Sequence, residues 1–256
     1  MAIVSIAKGF IKRLFSYNGS LQFISTSDEI VRAGYQHKFV VERYIGYLKN
    51  KRVLDAGCWT APIARELSDR GIELEFVGLD ENESALEIAR KNFSRFKFLH
   101  AALTKPQESF AHNYRNYFDC VIFLDVLEHL PVGSEKDTIR FLGTLLKPGG
   151  VIVMSTMADH PFNIIDPAWF FGHRHYKLKT CKAILQDSGF QIIELLKNGN
   201  LYWDLDLLFF YIHKHIFRKH YQTSIYMQNK IMKGFNSPKI PTRFYFLARK
   251  CEGIAV

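Results

Sequence analysis

Residues suited to binding a nucleoside and to accepting a proton follow three apolar runs of this chain. Asp55 and Gly57 end the first run and begin a turn into a helix, and Asp80 lies 23 positions past Gly57 at the end of the second. A carboxylate at that spacing can accept both hydroxyls of a ribose, and glycine permits a sharp turn before a helix N-terminus. His129 follows the third run, and its ordinary pKa suits a base near neutrality. The spacing predicts a nucleoside site with His129 as the candidate catalytic base.

The loop after the first run reads DAGCWTA, and its glycine content excludes two common cofactor classes. A dinucleotide fingerprint that starts at Gly57 needs glycine where this chain has Trp59 and Pro62. The sequence also has no GxxxxGK[ST] phosphate loop. The loop therefore favours a cofactor that carries adenosine but no phosphate, and S-adenosylmethionine is the obvious one.

From residue 52 onward, apolar runs that predict strands alternate with amphipathic stretches that predict helices. The predicted strands are RVLDAG, LEFVGLD, FKFLHAA, FDCVIFLDV, GGVIVMST, QIIELLKN and TRFYFLAR, and the turn KPGG is expected to introduce GGVIVMST. Strands that alternate with helices of about ten residues predict a parallel sheet covered on both faces. Ligands of such sheets bind outside the carboxyl ends of the strands. We therefore expect the residues that follow the strands to form one site.

The motifs VLDAGCWTA, FVGLDENESALEIARKN, FDCVIFLDVLEHL, LLKPGGVIVMST and LQDSGFQIIEL, in that order, resemble the class I S-adenosylmethionine-dependent methyltransferases. The resemblance is to the branch with ubiquinone-biosynthesis-like and other small-molecule enzymes, and it covers roughly residues 40 to 198 and the strand at 243–250. It implies an α/β fold, a Rossmann-like, doubly wound, seven-stranded and mostly parallel sheet with the last strand antiparallel. It also implies S-adenosylmethionine as cofactor and methyl transfer as activity.

The resemblance further implies which residues of this chain bind the cofactor. They are Asp55, Gly57 and Cys58 for the methionine part, Asp80 and Glu81 for the ribose, Ala101 and Ala102 beside the adenine, and Leu124 and Asp125 on the sulfonium side.

The chain departs from the family pattern in two places. Trp59 and Ala61 replace glycines of the family loop, and Ala101 stands where many members carry an aspartate that bonds the adenine amino group. The second departure removes a hydrogen bond worth about 1 kcal/mol, and leaves the backbone N–H of Ala102 as an adenine contact. We expect the first to be tolerated if the indole points away from the cofactor.

Residues 158–177 follow the fifth strand, and the resemblance places the acceptor side of the site there. The stretch is rich in aromatics and also contains His160, and we predict Trp169, His173 and His175 as acceptor-pocket residues. The H-x-H spacing suits a metal, but no third ligand is evident in the sequence, so no metal site is predicted.

The domain prediction divides the chain into an N-terminal helical cap at 1–49, which includes helices at 3–14 and 28–49, and a methyltransferase domain at 50–256. An insertion at 201–241 within that domain is apolar and basic. It is either a lid over the acceptor site or a surface that faces a membrane, and a lipid-like acceptor would suit both.

The net charge of +9 is unevenly distributed, because no acidic residue occurs between Leu207 and Cys251. Such a segment favours an anionic membrane surface or a polyanion as partner. The four cysteines form no CxxC pair, the start is no signal peptide, and no apolar run reaches the roughly 20 residues of a membrane span. We therefore expect a cytoplasmic protein, peripheral at the inner membrane surface if the insertion faces lipid.

The function prediction is methyl transfer to the oxygen of a small or lipid-like acceptor. One alternative is an RNA methyltransferase, which the positive charge favours. The turn LDVL after the fourth strand lacks the N/D-P-P-aromatic pattern of enzymes that act on flipped bases, which argues against nucleic acid. The other alternative is a non-catalytic scaffold of the same fold at a membrane surface. The sequence leaves the oligomeric state open.

Overall fold

A computed structural model describes residues 27–106, 108–166, 169, 172–219 and 221–251. The side chains of residues 27–34, 214 and 215 are outside this description. The predicted helix at 3–14 also falls outside it.

Strands and helices alternate along the described chain, as the sequence predicts. The strands are β1 (Arg52–Ala56), β2 (Glu75–Asp80), β3 (Lys97–His100), β4 (Phe118–Leu124), β5 (Leu146–Met157), β6 (Phe190–Asn198) and β7 (Arg243–Lys250). The helices are α1 (Ser27–Arg43), α2 (Pro62–Asp69), α3 (Glu83–Asn92), α4 (Glu108–Asn113), α5 (Glu135–Leu145), α6 (Leu178–Asp187), α7 (Leu201–Ile212) and α8 (Ile225–Phe235).

The seven strands form one sheet in the order β3-β2-β1-β4-β5-β7-β6. In β1, Asp55 pairs in parallel with Gly78 of β2 and Ile122 of β4, whereas β7 runs antiparallel to both β5 and β6. The predicted doubly wound sheet with an antiparallel last strand is therefore confirmed. Because β7 runs against its neighbours, its first residue, Arg243, lies opposite Met157 at the carboxyl end of β5.

Both faces of the sheet are buried, which explains why the strands read as continuous apolar runs. Val53 belongs to the core on one face and its neighbour Leu54 to the core on the other. Alternate residues of a strand point to opposite faces, so helices must cover both sides. α1 covers one of them, since its residues Val40 and Val41 share a core with Val53.

Polar side chains fix the starts of several helices. Asn82 accepts a hydrogen bond from the Ala85 N–H at the start of α3, and Asn200 accepts one from the Trp203 N–H at the start of α7. Such caps satisfy N–H groups that have no partner inside the helix. From this start, α7 places Asp204 3.7 Å from Arg243, at the carboxyl edge of the sheet.

Two predicted boundaries are wrong. The helix predicted at 28–49 ends at Arg43, because Tyr44 leaves the helical conformation and buries its ring while its hydroxyl donates to Glu194. β5 begins at Leu146, before the KPGG turn that was expected to introduce it, because Leu146 already pairs with Phe118. The division into domains at residue 49 stays a prediction. Among the described helices, none is both long and apolar enough to cross a membrane.

Candidate functional site

The candidate site lies at the carboxyl edge of the sheet, where β1 and β4 are neighbours. After β1 the chain turns toward β2, and after β4 it turns toward β5 on the opposite side. The loops that follow β1 and β4 therefore diverge and leave a crevice between them. The start of β7 meets this edge as well. Residues from the five connections after β1 to β5, and from the start of β7, therefore face the same region.

The loop after β1 is a tight turn with left-handed backbone at three positions. Gly57 has φ +86°, Trp59 has φ +49° and Ala61 has φ +63°. The N–H groups of Gly57 and Cys58 both donate to the Leu79 carbonyl, at 2.7 and 3.1 Å. The two residues that replace family glycines thus keep a conformation that glycine adopts easily, at a cost of about 1–2 kcal/mol each.

Asp80 is buried at the end of β2 and holds the loop in place. Its Oδ2 accepts the Trp59 N–H at 2.8 Å and its Oδ1 accepts the Asn82 N–H at 2.9 Å. Each carboxylate oxygen can accept a further hydrogen bond, so both remain able to receive ribose hydroxyls. The contact explains how Trp59 is tolerated in the loop, because its backbone is the part that bonds to Asp80.

Asp55 is buried below this loop. Burial, and then the charge of Asp80, raise the pKa of Asp55 to about 8. A bound cation, such as the ammonium group of S-adenosylmethionine, would relieve both effects. Burial also raises the pKa of the Cys58 thiol well above its usual value, so Cys58 is not an activated nucleophile.

The connection after β3 holds the predicted adenine contacts. Ala101 and Ala102 are half-buried, and the Ala101 N–H donates to the Asp80 carbonyl at 3.0 Å. Glu81 is exposed, and its carbonyl lies 3.0 Å from the Nε2 of His100. The roles of these residues toward the cofactor stay predictions.

The loop after β4 brings Asp125 toward the crevice through left-handed backbone at φ +51°. Its Oδ1 accepts the Ser155 hydroxyl at 2.7 Å, and its Oδ2 lies 3.4 Å from the Nε of Arg243. Leu124, just before it, is buried. Asp125 is therefore fixed from β5 and β7 before any ligand binds.

Glu128 and His129 follow on a short 3-10 turn and differ in environment. Burial, and then the charge of Asp125, raise the pKa of Glu128 to about 8, and its Oε2 accepts the Thr156 hydroxyl at 3.0 Å. Burial of the ring lowers the pKa of His129 against the opposing charge of Asp125, although the residue keeps an exposed surface. Its ring centroid lies 4.2 Å from that of His173. The catalytic role of His129 stays a prediction.

The acceptor-side residues gather above the ends of β4 and β5. The Trp169 N–H donates to the Asp166 carbonyl at 3.2 Å, and the Nε2 of His175 lies 2.9 Å from the Oδ2 of Asp166. Burial, and then His129, lower the pKa of His173 to about 4. Arg174 donates to the Leu127 carbonyl at 3.1 Å, which anchors the two histidines beside it to the loop after β4.

Sequence reasoning missed three charged members of this region, namely Asp166, Asp204 and Arg243. Arg243 is buried at the start of β7, 3.4 Å from Asp125 and 3.7 Å from Asp204. Burial alone would lower the pKa of Arg243, but the surrounding carboxylates, Asp125 and Asp204 first, raise it above its usual value. A charged residue at the start of a predicted antiparallel strand was the available signal, because that start lies at the carboxyl edge.

The residues around the crevice fit S-adenosylmethionine. Asp80 offers oxygens to a ribose, and the buried Asp55 suits an ammonium group. Within the described residues, no cluster of three or more histidine, cysteine or acidic side chains has a geometry that could hold a metal ion.

The comparisons with known proteins agree with this geometry. A family model described as a methyltransferase domain matches residues 35–195. Ubiquinone biosynthesis O-methyltransferases from Alkalilimnicola ehrlichii and Acinetobacter baylyi are 31% and 29% identical over 121 and 122 residues, which is 47% of this chain and 47% and 50% of theirs. The aligned region thus spans about half the length of these curated relatives.

Solved structures agree on the fold. A SAM-dependent methyltransferase from Archaeoglobus fulgidus has a TM-score of 0.57 at 19% identity, with 88% of this chain and 95% of that one covered. The magnesium protoporphyrin IX methyltransferase from Synechocystis PCC 6803, solved with bound SAH, has a TM-score of 0.58 at 16% identity, with 96% and 94% covered. The chain therefore belongs to the methyltransferase-domain family, has the fold of S-adenosylmethionine-dependent methyltransferases, and is similar in sequence to ubiquinone biosynthesis O-methyltransferases.

Proposed function

We propose that this enzyme transfers a methyl group to a hydroxyl oxygen of a small or lipid-like acceptor. The observation that carries the proposal is the group of buried polar side chains beside Asp125, at the edge where the cofactor crevice opens. His160, Asp166, His175 and Arg243 belong to this group. Hydrogen-bonding groups of this kind suit a hydroxyl better than a purely apolar acceptor. The O-methyltransferases similar to this chain support the same reading.

The cofactor supplies an electrophilic methyl group, and the chain supplies position and proton transfer. Asp80 and the backbone after β1 would hold the adenosyl part, and the buried Asp55 would face the cationic end. Asp125, fixed by Ser155 and Arg243, lines the side toward the acceptor. A hydroxyl acceptor must also lose its proton, which requires a base within hydrogen-bond reach.

Methyl transfer itself is tested with labelled cofactor and a panel of phenols, catechols, amines and RNA. We expect label in the hydroxyl compounds, as an ether that mass spectrometry locates on oxygen. Label in amines or RNA alone would overturn the proposal. A protein that shows no heat and no thermal shift with millimolar S-adenosylmethionine would instead be a scaffold.

Asp80→Ala is expected to weaken S-adenosylmethionine binding by about 1–3 kcal/mol, or roughly 5- to 150-fold, through lost charge-assisted hydrogen bonds to the ribose. Calorimetry of the wild type and the variant measures the change. Asp69→Ala is the matched control, because Asp69 is an exposed carboxylate at the end of α2. Unchanged affinity in Asp80→Ala would place the ribose elsewhere.

The insertion has two different faces, and we propose that both are used. On the inner face, the carboxylates of Asp204 and Asp206 are buried; Asp204 lies near Arg243 and Asp206 accepts the Tyr221 hydroxyl at 2.6 Å. This face covers the acceptor side as a lid. The outer face carries exposed apolar residues: Tyr202, Phe209, Ile216, Phe217, Ile225, Tyr226 and Met232.

Basic residues lie among these apolar side chains, which is the composition of a surface that binds an anionic bilayer. The Nζ of Lys230 lies 5.7 Å from the Tyr202 ring and 5.4 Å from the Tyr226 ring, so α7 and α8 present their outer residues together. Lys219 and Lys233 are exposed nearby in the chain. A peripheral position at a membrane would bring a lipid-like acceptor to the lid.

The double substitution Phe217→Ser with Ile225→Ser is expected to reduce binding to phosphatidylglycerol-rich vesicles by about tenfold or more, because each side chain loses roughly 1–2 kcal/mol of apolar burial. Co-sedimentation measures the binding, and added salt should weaken it. Val132→Ser removes an equally exposed aliphatic outside the insertion and should change nothing. The proposal would be contradicted if the protein bound neutral phosphatidylcholine vesicles equally well, or if it bound no vesicles at all.

A further inference from the structure

Four buried groups at the acceptor side form two histidine–aspartate pairs. The Nε2 of His175 lies 2.9 Å from the Oδ2 of Asp166, and the Nε2 of His160 lies 3.2 Å from the Oδ2 of Asp204. All four side chains are at most 4% exposed. The two imidazole centroids are 5.9 Å apart. The fold thus brings these four residues, which are spread over positions 160 to 204 of the sequence, together at one edge of the sheet.

The charge state of Asp166 determines which ring nitrogen of His175 carries the hydrogen. Burial would raise the pKa of Asp166, but the hydrogen bond from His175 and the charge of Arg243 outweigh it, so the pKa of Asp166 lies below its usual value. An ionised carboxylate only accepts hydrogen bonds. The Nε2 of His175 must therefore carry a hydrogen, and in the neutral ring the Nδ1 carries a lone pair.

That Nδ1 is buried and has no hydrogen-bond partner among the described residues. The Oε1 of Glu128 and the Oδ2 of Asp204 are also buried without a hydrogen-bond partner. Asp204 lies close to His160, but the two side chains are not aligned for a hydrogen bond. Unpaired buried polar atoms are uncommon in folded proteins. Several of them in one region are what a site for a polar ligand requires.

The other histidines of the region are less suited to take a proton. The Nδ1 of His160 already accepts the Phe162 N–H at 3.2 Å, so its lone pair is used. His173 has an unpaired Nδ1, but with a pKa of about 4 it is a weak base. His129 stays exposed, where water competes for its lone pair. Among the described histidines of the region, only His175 combines an unpaired buried ring nitrogen with a carboxylate that orients the ring.

We propose that His175 is the catalytic base for the acceptor hydroxyl and that Asp166 is its positioning residue, an inference that rests on the proposed O-methyl transfer. The acceptor O–H bond breaks and its proton moves to the Nδ1 of His175. The freed oxygen lone pair forms the new C–O bond while the C–S bond of S-adenosylmethionine breaks, and its electron pair stays on sulfur. The imidazolium then releases the proton to solvent. Because His175 is covered, the residues above it must shift to admit the acceptor.

Imidazole NMR of the full chain, saturated with S-adenosylhomocysteine, tests the site without turnover. We expect the neutral Nε2–H tautomer at His175, and a shift of its bare Nδ1 signal on addition of phenol. Anisole, the methyl ether of phenol, has no hydroxyl hydrogen and should leave that signal in place. An Nδ1–H tautomer, or no response to phenol, would overturn the proposal.

Kinetics of His175→Gln complete the test, because the glutamine amide can still donate to Asp166 but holds no base. We expect kcat to fall at least about 100-fold, with unchanged affinity for S-adenosylhomocysteine. Asp166→Asn should also lower kcat, because an amide that donates to Nε2 favours the wrong tautomer. His112→Gln, on an exposed position of α4, is the matched control.

The pH profile separates a base from a structural residue. Asp166, His160, His173 and Arg243 are the titratable groups around His175, and they remain in His175→Gln. We expect the variant alone to lose the rise of kcat with pH. A variant with the wild-type kcat and pH profile would overturn the role of His175 and leave O-methyl transfer intact. A wild type that methylates only amines would overturn both.

Discussion

Gly57→Ala is expected to lose most of its affinity for S-adenosylmethionine and about 2–4 kcal/mol of unfolding free energy. A β-carbon at Gly57 would lie 2.3 Å from the Cγ2 of Val126, far inside van der Waals contact. Val126 must therefore move, and with it the loop that carries Asp125. The left-handed backbone at φ +86° adds strain to the same substitution. Calorimetry gives the affinity and urea unfolding gives the stability.

Gly71→Ala separates the clash from the strain. Gly71 also has positive φ, +60°, but no atom lies within 4 Å of a β-carbon placed there. The substitution Gly71→Ala should therefore cost only about 1 kcal/mol of unfolding free energy and leave the cofactor affinity unchanged. If Gly57→Ala matched Gly71→Ala in both measurements, the crevice between the loops after β1 and β4 would not be where the cofactor binds.

The strands could be predicted because each carries its own signal. Burial on both faces makes a strand such as Val121–Leu124 apolar throughout, and the glycine or aspartate that follows marks its end. The position of Asp80 at the site could be predicted in the same way, because the last residue of a parallel strand lies at the carboxyl edge of the sheet. The resemblance supplied the direction of β7, which length and hydropathy alone would not reveal.

The pairing of His175 with Asp166, and of His160 with Asp204, could not be predicted. Nothing in the sequence sets these distances, because α7 reaches the segment after β5 only through tertiary packing. The sequence suggested histidines near an acceptor, but it could not say which ring nitrogen was left unpaired. How the loop holds Trp59 could not be predicted either, because its N–H donates to Asp80 at the end of another strand.

Arg243→Met is expected to cost about 3–5 kcal/mol of unfolding free energy, because it leaves buried carboxylates without their cation. Arg243 is within 3.7 Å of both Asp125 and Asp204, and its charge also lowers the pKa of Asp166. Methionine fills a similar volume, so the loss reports charge more than packing. Arg249→Met is the matched control, because Arg249 is exposed near the other end of β7. Urea unfolding at neutral pH should separate the two variants clearly.

The deficit of Arg243→Met should grow as the pH rises. The charge of Arg243 lowers the pKa values of Asp166 and Glu128, so both pKa values should rise in the folded protein when the guanidinium is removed. The folded variant then binds more protons than the folded wild type, while the two unfolded chains bind protons alike, so the unfolding free energy of the variant falls with rising pH relative to the wild type. Unfolding at pH 5 and pH 8 measures this slope. A deficit equal at both values would mean that Arg243 acts through packing alone, and that the acceptor side needs no buried cation to hold its carboxylates together.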